Sequence, residues 1–136
     1  MKKISILFVV FLAVSAFAAG CVGGGRDIHS EPQTPYTNVT PQELKKMLEK
    51  KDFFFVDVHI PEQKHIAGTD LFVPYNEIER NIDKFPSDKT KKIVLYCRSG
   101  SMSIEASQRL IDLGYKNIYN LQGGTYAWQA AGYSVE

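Results

Sequence analysis

Residues 93–96, Ile-Val-Leu-Tyr, form an unbroken apolar run that stops at a cysteine, Cys97. A short run of small polar residues with one glycine follows, Arg98-Ser99-Gly100-Ser101, and then a helical pattern from about Met102 to Leu113. An apolar run without alternation predicts a strand covered on both faces. The helical pattern predicts Ile104, Ala106, Leu110, Ile111 and Leu113 on its inner side, with Gly114 as its C-terminal stop. A thiol where a strand ends and a helix begins sits beneath the unpaired N–H groups of the helix's first turn. Those donors and the helix dipole favour negative charge on sulfur, which suits a nucleophilic or sulfur-carrying cysteine. A structural core cysteine is the plainer alternative, since free cysteines are commonly buried.

Strands and helices alternate along the rest of the chain. Thr40-Pro41-Gln42-Glu43 reads as a helix start: Thr40 caps, Pro41 suits the first helical position, and Glu43 completes a capping box. Leu44, Met47 and Leu48 then form an apolar stripe to about Glu49. Phe53 to Val58 is a second apolar run, carrying Asp57 where the strand should emerge. Ile60 to Gly68 is a loop, Leu71-Phe72-Val73 a short strand stopped by Pro74, and Asn76 caps a predicted helix to about Lys84 with Ile78, Ile82 and Phe85 inside. Asn117 to Asn120 is a further strand, and Gly123-Gly124 opens a last helix with Ala127, Trp128 and Ala131, ended by Gly132. The fold class is therefore α/β, a single domain with a mostly parallel central sheet and helices on both faces. In such sheets the working site lies at the carboxyl ends of the strands, so Asp57 and Cys97 are expected to share one rim.

The N-terminus reads as an address. Met1-Lys2-Lys3 is followed by an almost wholly apolar run from Ile4 to Ala19, short for a membrane span and ending in small residues. Ala18-Ala19-Gly20-Cys21 resembles the lipobox of prokaryotic lipoproteins, with alanine at the position where leucine is more usual. That reading makes residues 1–20 a signal peptide, Cys21 the lipidated mature N-terminus, and the protein an extracytoplasmic, membrane-anchored one. An ordinary secretory signal with an incidental cysteine, or a short uncleaved anchor, remain alternatives. Residues 21–36 carry three consecutive glycines and two prolines without apolar periodicity, as a flexible tether does. His29 within it is a lone solvated histidine, and no metal-ligand spacing or cofactor motif is evident. Removing Lys2 and Lys3 takes the 16 basic residues to 14 against 15 acidic ones, a balance of −1. Nothing in that balance calls for nucleic acid as a partner.

Within residues 37–136, Asp57-Val58-His59-Ile60-Pro61-Glu62, Cys97-Arg98-Ser99-Gly100-Ser101-Met102-Ser103 and Leu121-Gln122-Gly123-Gly124 are three segments that together resemble the rhodanese-like domain family. Asp57-Val58-His59-Ile60-Pro61-Glu62 with His65-Ile66-Ala67-Gly68 is similar to its D-V-R-x-P-x-E … H-I-x-G-A segment. Cys97-Arg98-Ser99-Gly100-Ser101-Met102-Ser103 is similar to its C-R-[ST]-G-x-R-S loop, and Leu121-Gln122-Gly123-Gly124 with Trp128 to its L-x-G-G-x-x-x-W ending. The resemblance implies a sulfurtransferase that carries sulfane sulfur as a persulfide on Cys97. The donor would be thiosulfate or polysulfide and the acceptor a thiol or cyanide. It makes Arg98, Ser99, Gly100, Ser101, Met102 and Ser103 the substrate-binding loop, its amides cradling the anionic persulfide. Asp57 and His59 would support the site, Asp57 as an orienting residue rather than a base. His65 would be structural, and Tyr96 and Trp128 core or rim aromatics. Met102 and His59 stand where the family usually has arginine, which removes positive charge from the site. The alternative function is a persulfide or polysulfide carrier serving a partner without efficient turnover. Phosphatase chemistry on the same fold wants an arginine six positions after the cysteine, where this chain has Ser103.

Overall fold

The computed structural model describes residues 34–136. The expected signal, Cys21 and the tether up to residue 33 lie outside the described residues. A short strand β1 (Thr37–Val39) leads into helix α1 (Pro41–Glu49). Thr40 caps that helix as its sequence requires: its hydroxyl accepts from Glu43 N at 3.2 Å, and the Glu43 carboxylate accepts from Thr40 N at 2.8 Å. Strands β2 (Phe54–Asp57) and β3 (Leu71–Phe72) follow, then two 3₁₀ turns at Tyr75–Glu77 and Glu79–Lys84. Strand β4 (Ile93–Tyr96), helix α2 (Ser101–Asp112), strand β5 (Ile118–Leu121) and helix α3 (Gly124–Ala130) complete the domain.

The five strands lie in the order β1-β5-β4-β2-β3, and every pairing is parallel. β4 is central, and all four of its residues are buried. Because strand side chains alternate, β4 feeds two cores. Ile93, Leu95 and Cys97 pack with Val56, Val58, Ala106 and Leu110 on the α2 face. Val94 and Tyr96 pack with Phe55, Leu44 and Trp128 on the face of α1 and α3. This is the two-faced α/β arrangement that the continuous apolar runs imply, and it puts the ends of β2 and β4 side by side, with Asp57 paired to Tyr96.

Three expectations change. β1 occupies residues 37–39, where the sequence pattern marks no element; Val39 is its only buried residue. The segment from Asn76 to Lys84 is not one capped helix. Pro74 precedes the first turn without a side-chain cap, and Asn81 breaks the helical path at φ −113°, ψ 18°. Its side-chain amide donates to Glu77 O at 2.9 Å, a local bond that competes with the helix ladder. In α2 the inward face is Ser103, Ala106, Ser107 and Leu110, whereas Ile104 and Leu113 are exposed.

Candidate functional site

Cys97 directly follows β4, and its backbone turns at once into the loop that starts α2. Gly100, at φ 108°, adopts the left-handed conformation a glycine allows. That turn aims the Gly100 N–H at the Cys97 sulfur, 3.0 Å away. Of the loop amides expected to cradle the sulfur, this is the one that donates to it. Among the described residues no side chain caps α2, which leaves the amides of its first turn free for an anion. The Ser103 hydroxyl lies 3.5 Å from the sulfur, on the buried side. Cys97 itself is only 1% exposed. The thiol therefore sits at the carboxyl end of the sheet as expected, but under cover rather than open at a lip.

The other loop residues divide by position. Arg98, Ser99 and Ser101 are exposed. The Arg98 guanidinium lies over the ring of the exposed Tyr126, 5.9 Å from its centroid, which holds a positive charge at the rim. Met102 is half-buried against the core that includes Cys97, so it lends the loop packing and no charge.

From below, α3 seats the loop. Thr125 N donates to Cys97 O at 2.9 Å, and Tyr126 N donates to Arg98 O at 3.0 Å. The contact is so close that a Cβ on Gly124 would stand 2.3 Å from Cys97 O and 2.7 Å from Arg98 O. The Gly123-Gly124 pair is thus a seat for the cysteine loop and not only a helix start. Sequence reasoning missed this, although two adjacent glycines before a helix were the available signal.

Asp57 is fully buried at the end of β2. It accepts from His59 N at 3.0 Å and from Gln63 Nε2 at 3.2 Å, and it meets His65 Nδ1 at 2.9 Å. Gln63 Oε1 in turn accepts from the Thr125 hydroxyl at 3.3 Å. Asp57 is thereby linked through Gln63 to Thr125, whose N–H holds the Cys97 carbonyl; Gln63 and Thr125 are members of this brace that the sequence did not reveal. His65 also meets Glu62 at 3.1 Å through Nε2. Burial pulls its pKa down, but the hydrogen bonds and charges of Asp57 and Glu62 outweigh that and raise it above the ordinary histidine value. His59 differs. Burial, then the charge of Arg98, hold its pKa below the ordinary value against the pull of Asp57. Neither ring nitrogen has a partner among the described residues, so His59 is a neutral, buried ring beside the loop and does not restore the missing positive charge. Tyr96 is a core aromatic: its hydroxyl accepts from Ile66 N at 3.0 Å, and burial raises its pKa strongly.

A cleft of about 540 Å³ opens near the other end of α3, between Lys45, Leu48, Trp128 and Tyr133. It touches none of the Cys97 loop.

A thiol met by a main-chain donor at the carboxyl rim of a five-stranded parallel sheet is an arrangement that can support cysteine-based group transfer. The comparisons make the class specific: the Rhodanese-like domain model matches residues 40–131, and the chain belongs to the rhodanese-like domain family. It is 30% identical over 98 residues to the thiosulfate sulfurtransferase GlpE of Coxiella burnetii, covering 70% of this chain and 89% of that one. It is 29% identical over 93 residues to a sulfurtransferase of Allochromatium vinosum, covering 67% and 85%. The solved rhodanese-like domain protein of Staphylococcus aureus superposes with a TM-score of 0.62 at 27% identity, covering 74% of this chain and 98% of that one. These relatives support sulfur transfer as the general activity.

Proposed function

We propose that the protein moves sulfane sulfur through a persulfide on Cys97, taking it from thiosulfate or a similar donor and passing it to a thiophilic acceptor. The observation that carries this reading is the Gly100 N–H held 3.0 Å from the Cys97 sulfur, where it stabilises an anion. The Cys97 thiolate attacks the outer sulfur of thiosulfate. A new S–S bond forms on Cys97, the donor's S–S bond breaks, and its electron pair leaves with sulfite. The acceptor then attacks the outer sulfur of the persulfide, and the electron pair of that bond returns to Cys97 as thiolate. With cyanide as acceptor the product is thiocyanate. Arg98 at the rim attracts the anionic donor.

The purified full chain is expected to form thiocyanate from thiosulfate and cyanide, and Cys97→Ser to abolish it. A wild-type chain that takes up no sulfur from thiosulfate or polysulfide would refute the reading. The near-complete burial of Cys97 and the uncharged Met102 and His59 favour a second reading, a carrier loaded by polysulfide that turns over small donors slowly. Its signature is a stable one-sulfur mass gain on Cys97 with little thiocyanate. We further propose, from the sequence, that the domain works outside the cytoplasm, anchored by lipid on Cys21.

A further inference from the structure

The Ser103 hydroxyl has one hydrogen and three acceptors within reach. Gly100 O lies at 3.0 Å, Asn120 Oδ1 at 2.6 Å and the Cys97 sulfur at 3.5 Å. Gly100 O already accepts from Ile104 N at 3.0 Å. The hydrogen therefore goes to Asn120, the nearest acceptor, and the sulfur keeps Gly100 N–H alone. Asn120 is 1% exposed on β5 and sits in register with Asn38 on β1. Its Nδ2 donates to Asn38 Oδ1 at 2.9 Å. A carboxamide has nearly the same shape when its two ends are exchanged, so this chain of bonds can run in either direction on the same heavy-atom positions. In the reverse direction Asn38 donates to Asn120 and Asn120 donates to Ser103, which frees the Ser103 hydrogen from Asn120; Gly100 O and the sulfur are then its acceptors, and the charge of an anionic sulfur draws it there. Asn38 is exposed, so its amide can turn against water.

We propose that Asn120 and Asn38 are positioning residues for Cys97: they set the direction of the Ser103 hydroxyl and give the sulfur its second hydrogen bond when it is anionic. The proposal rests on Cys97 being the reacting group. No proton is transferred; two amides and one hydroxyl rotate. The anionic sulfur gains a donor that the uncharged thiol does not need, and a linked chain of bonds, buried at Ser103 and Asn120 and open to water at Asn38, keeps every member paired in both directions.

The test fixes the direction from the exposed end. Asn38→Asp offers only acceptors, so it holds the Ser103 hydrogen away from the sulfur; Asn38→Lys offers only donors and turns it toward the sulfur. The readout is the rate of Cys97 alkylation by iodoacetamide across a range of pH, followed on the Cys97 peptide of the full chain. Arg98 on the loop and Asp57 and His59 at the end of β2, the charged and titratable groups beside the site, are unchanged in every variant. At neutral pH, Asn38→Asp is expected to slow alkylation about tenfold, the weight of one hydrogen bond to a charged atom, and Asn38→Lys to speed it. Both effects should persist at 1 M salt, where the screening length is about 3 Å, and both should vanish in a Ser103→Ala background. Effects that collapse with salt, or that are equal with and without the Ser103 hydroxyl, would be plain charge effects and would overturn the proposal. So would no effect at all. Because alkylation needs no sulfur donor, failure of sulfur transfer is distinguishable from failure of this relay.

Discussion

Gly124 and Gly114 share a left-handed backbone, at φ 58° and 93°, yet their surroundings differ. A Cβ on Gly114 meets nothing within 4 Å, whereas one on Gly124 runs into the carbonyls of Cys97 and Arg98. Gly114→Ala is therefore expected to cost about 1 kcal/mol of backbone strain and no activity. Gly124→Ala adds overpacking, for a total of about 3 kcal/mol. It should also abolish sulfur transfer, because the displaced atoms carry the proposed nucleophile; thermal melts and thiocyanate assays of both variants check this. The histidines make a second residue-scale prediction. The raised pKa of His65 means that its ion pairs with Asp57 and Glu62 stabilise the fold fully below pH 6.5, its unfolded value, and less as pH rises through the folded value. The lowered pKa of His59 has the opposite sign: its neutral form suits the fold, and stability is lost as pH falls below the same value. In His65→Gln the stability gained on acidification should disappear and the loss due to His59 should remain, which melting curves from pH 5 to 8 would show (about the window in which histidines titrate).

At the scale of elements, legibility followed the density of side-chain information. α1 was readable because Thr40, Pro41 and Glu43 each specify a start, and the capping box is present. Thr40→Ala is expected to lower stability by about 1 kcal/mol without changing sulfur transfer, since the cap lies away from the loop. β2 and β4 were readable from their continuous apolar runs. β1 was not, because three residues with one buried side chain carry no period, and its pairing to β5 comes from the backbone. The inward face of α2 was misassigned for a different reason. Two serines take core-facing positions because their hydroxyls are paired there, Ser107 with Ser103 O at 2.7 Å and Ser103 with Asn120 on β5 at 2.6 Å. Apolarity alone therefore drew Ile104 and Leu113 inward. The 75–84 segment failed as a helix because Asn81 satisfies a backbone carbonyl with its own side chain.

Across the whole molecule, the site joins segments distant in the chain: the end of β2, the end of β4 and the start of α3. That Asp57 and Cys97 meet at one rim was legible because parallel strands all point their carboxyl ends the same way. That Thr125 and Gly124 hold the loop from beneath, and that Asn120 links Ser103 to Asn38, was not legible, because these contacts depend on packing distances with no sequence period. Anchoring belongs to this scale too. Cys21→Ser is expected to release the protein from the membrane fraction, and unchanged membrane association would contradict lipidation there. The most direct test of the sulfur chemistry is the intact mass of the full chain after exposure to thiosulfate, then polysulfide, with and without cyanide. The expected result is a gain of one sulfur atom that maps to Cys97, is reversed by cyanide with release of thiocyanate, and is absent in Cys97→Ser. An unchanged mass with both donors, or a gain that survives in Cys97→Ser, would contradict it.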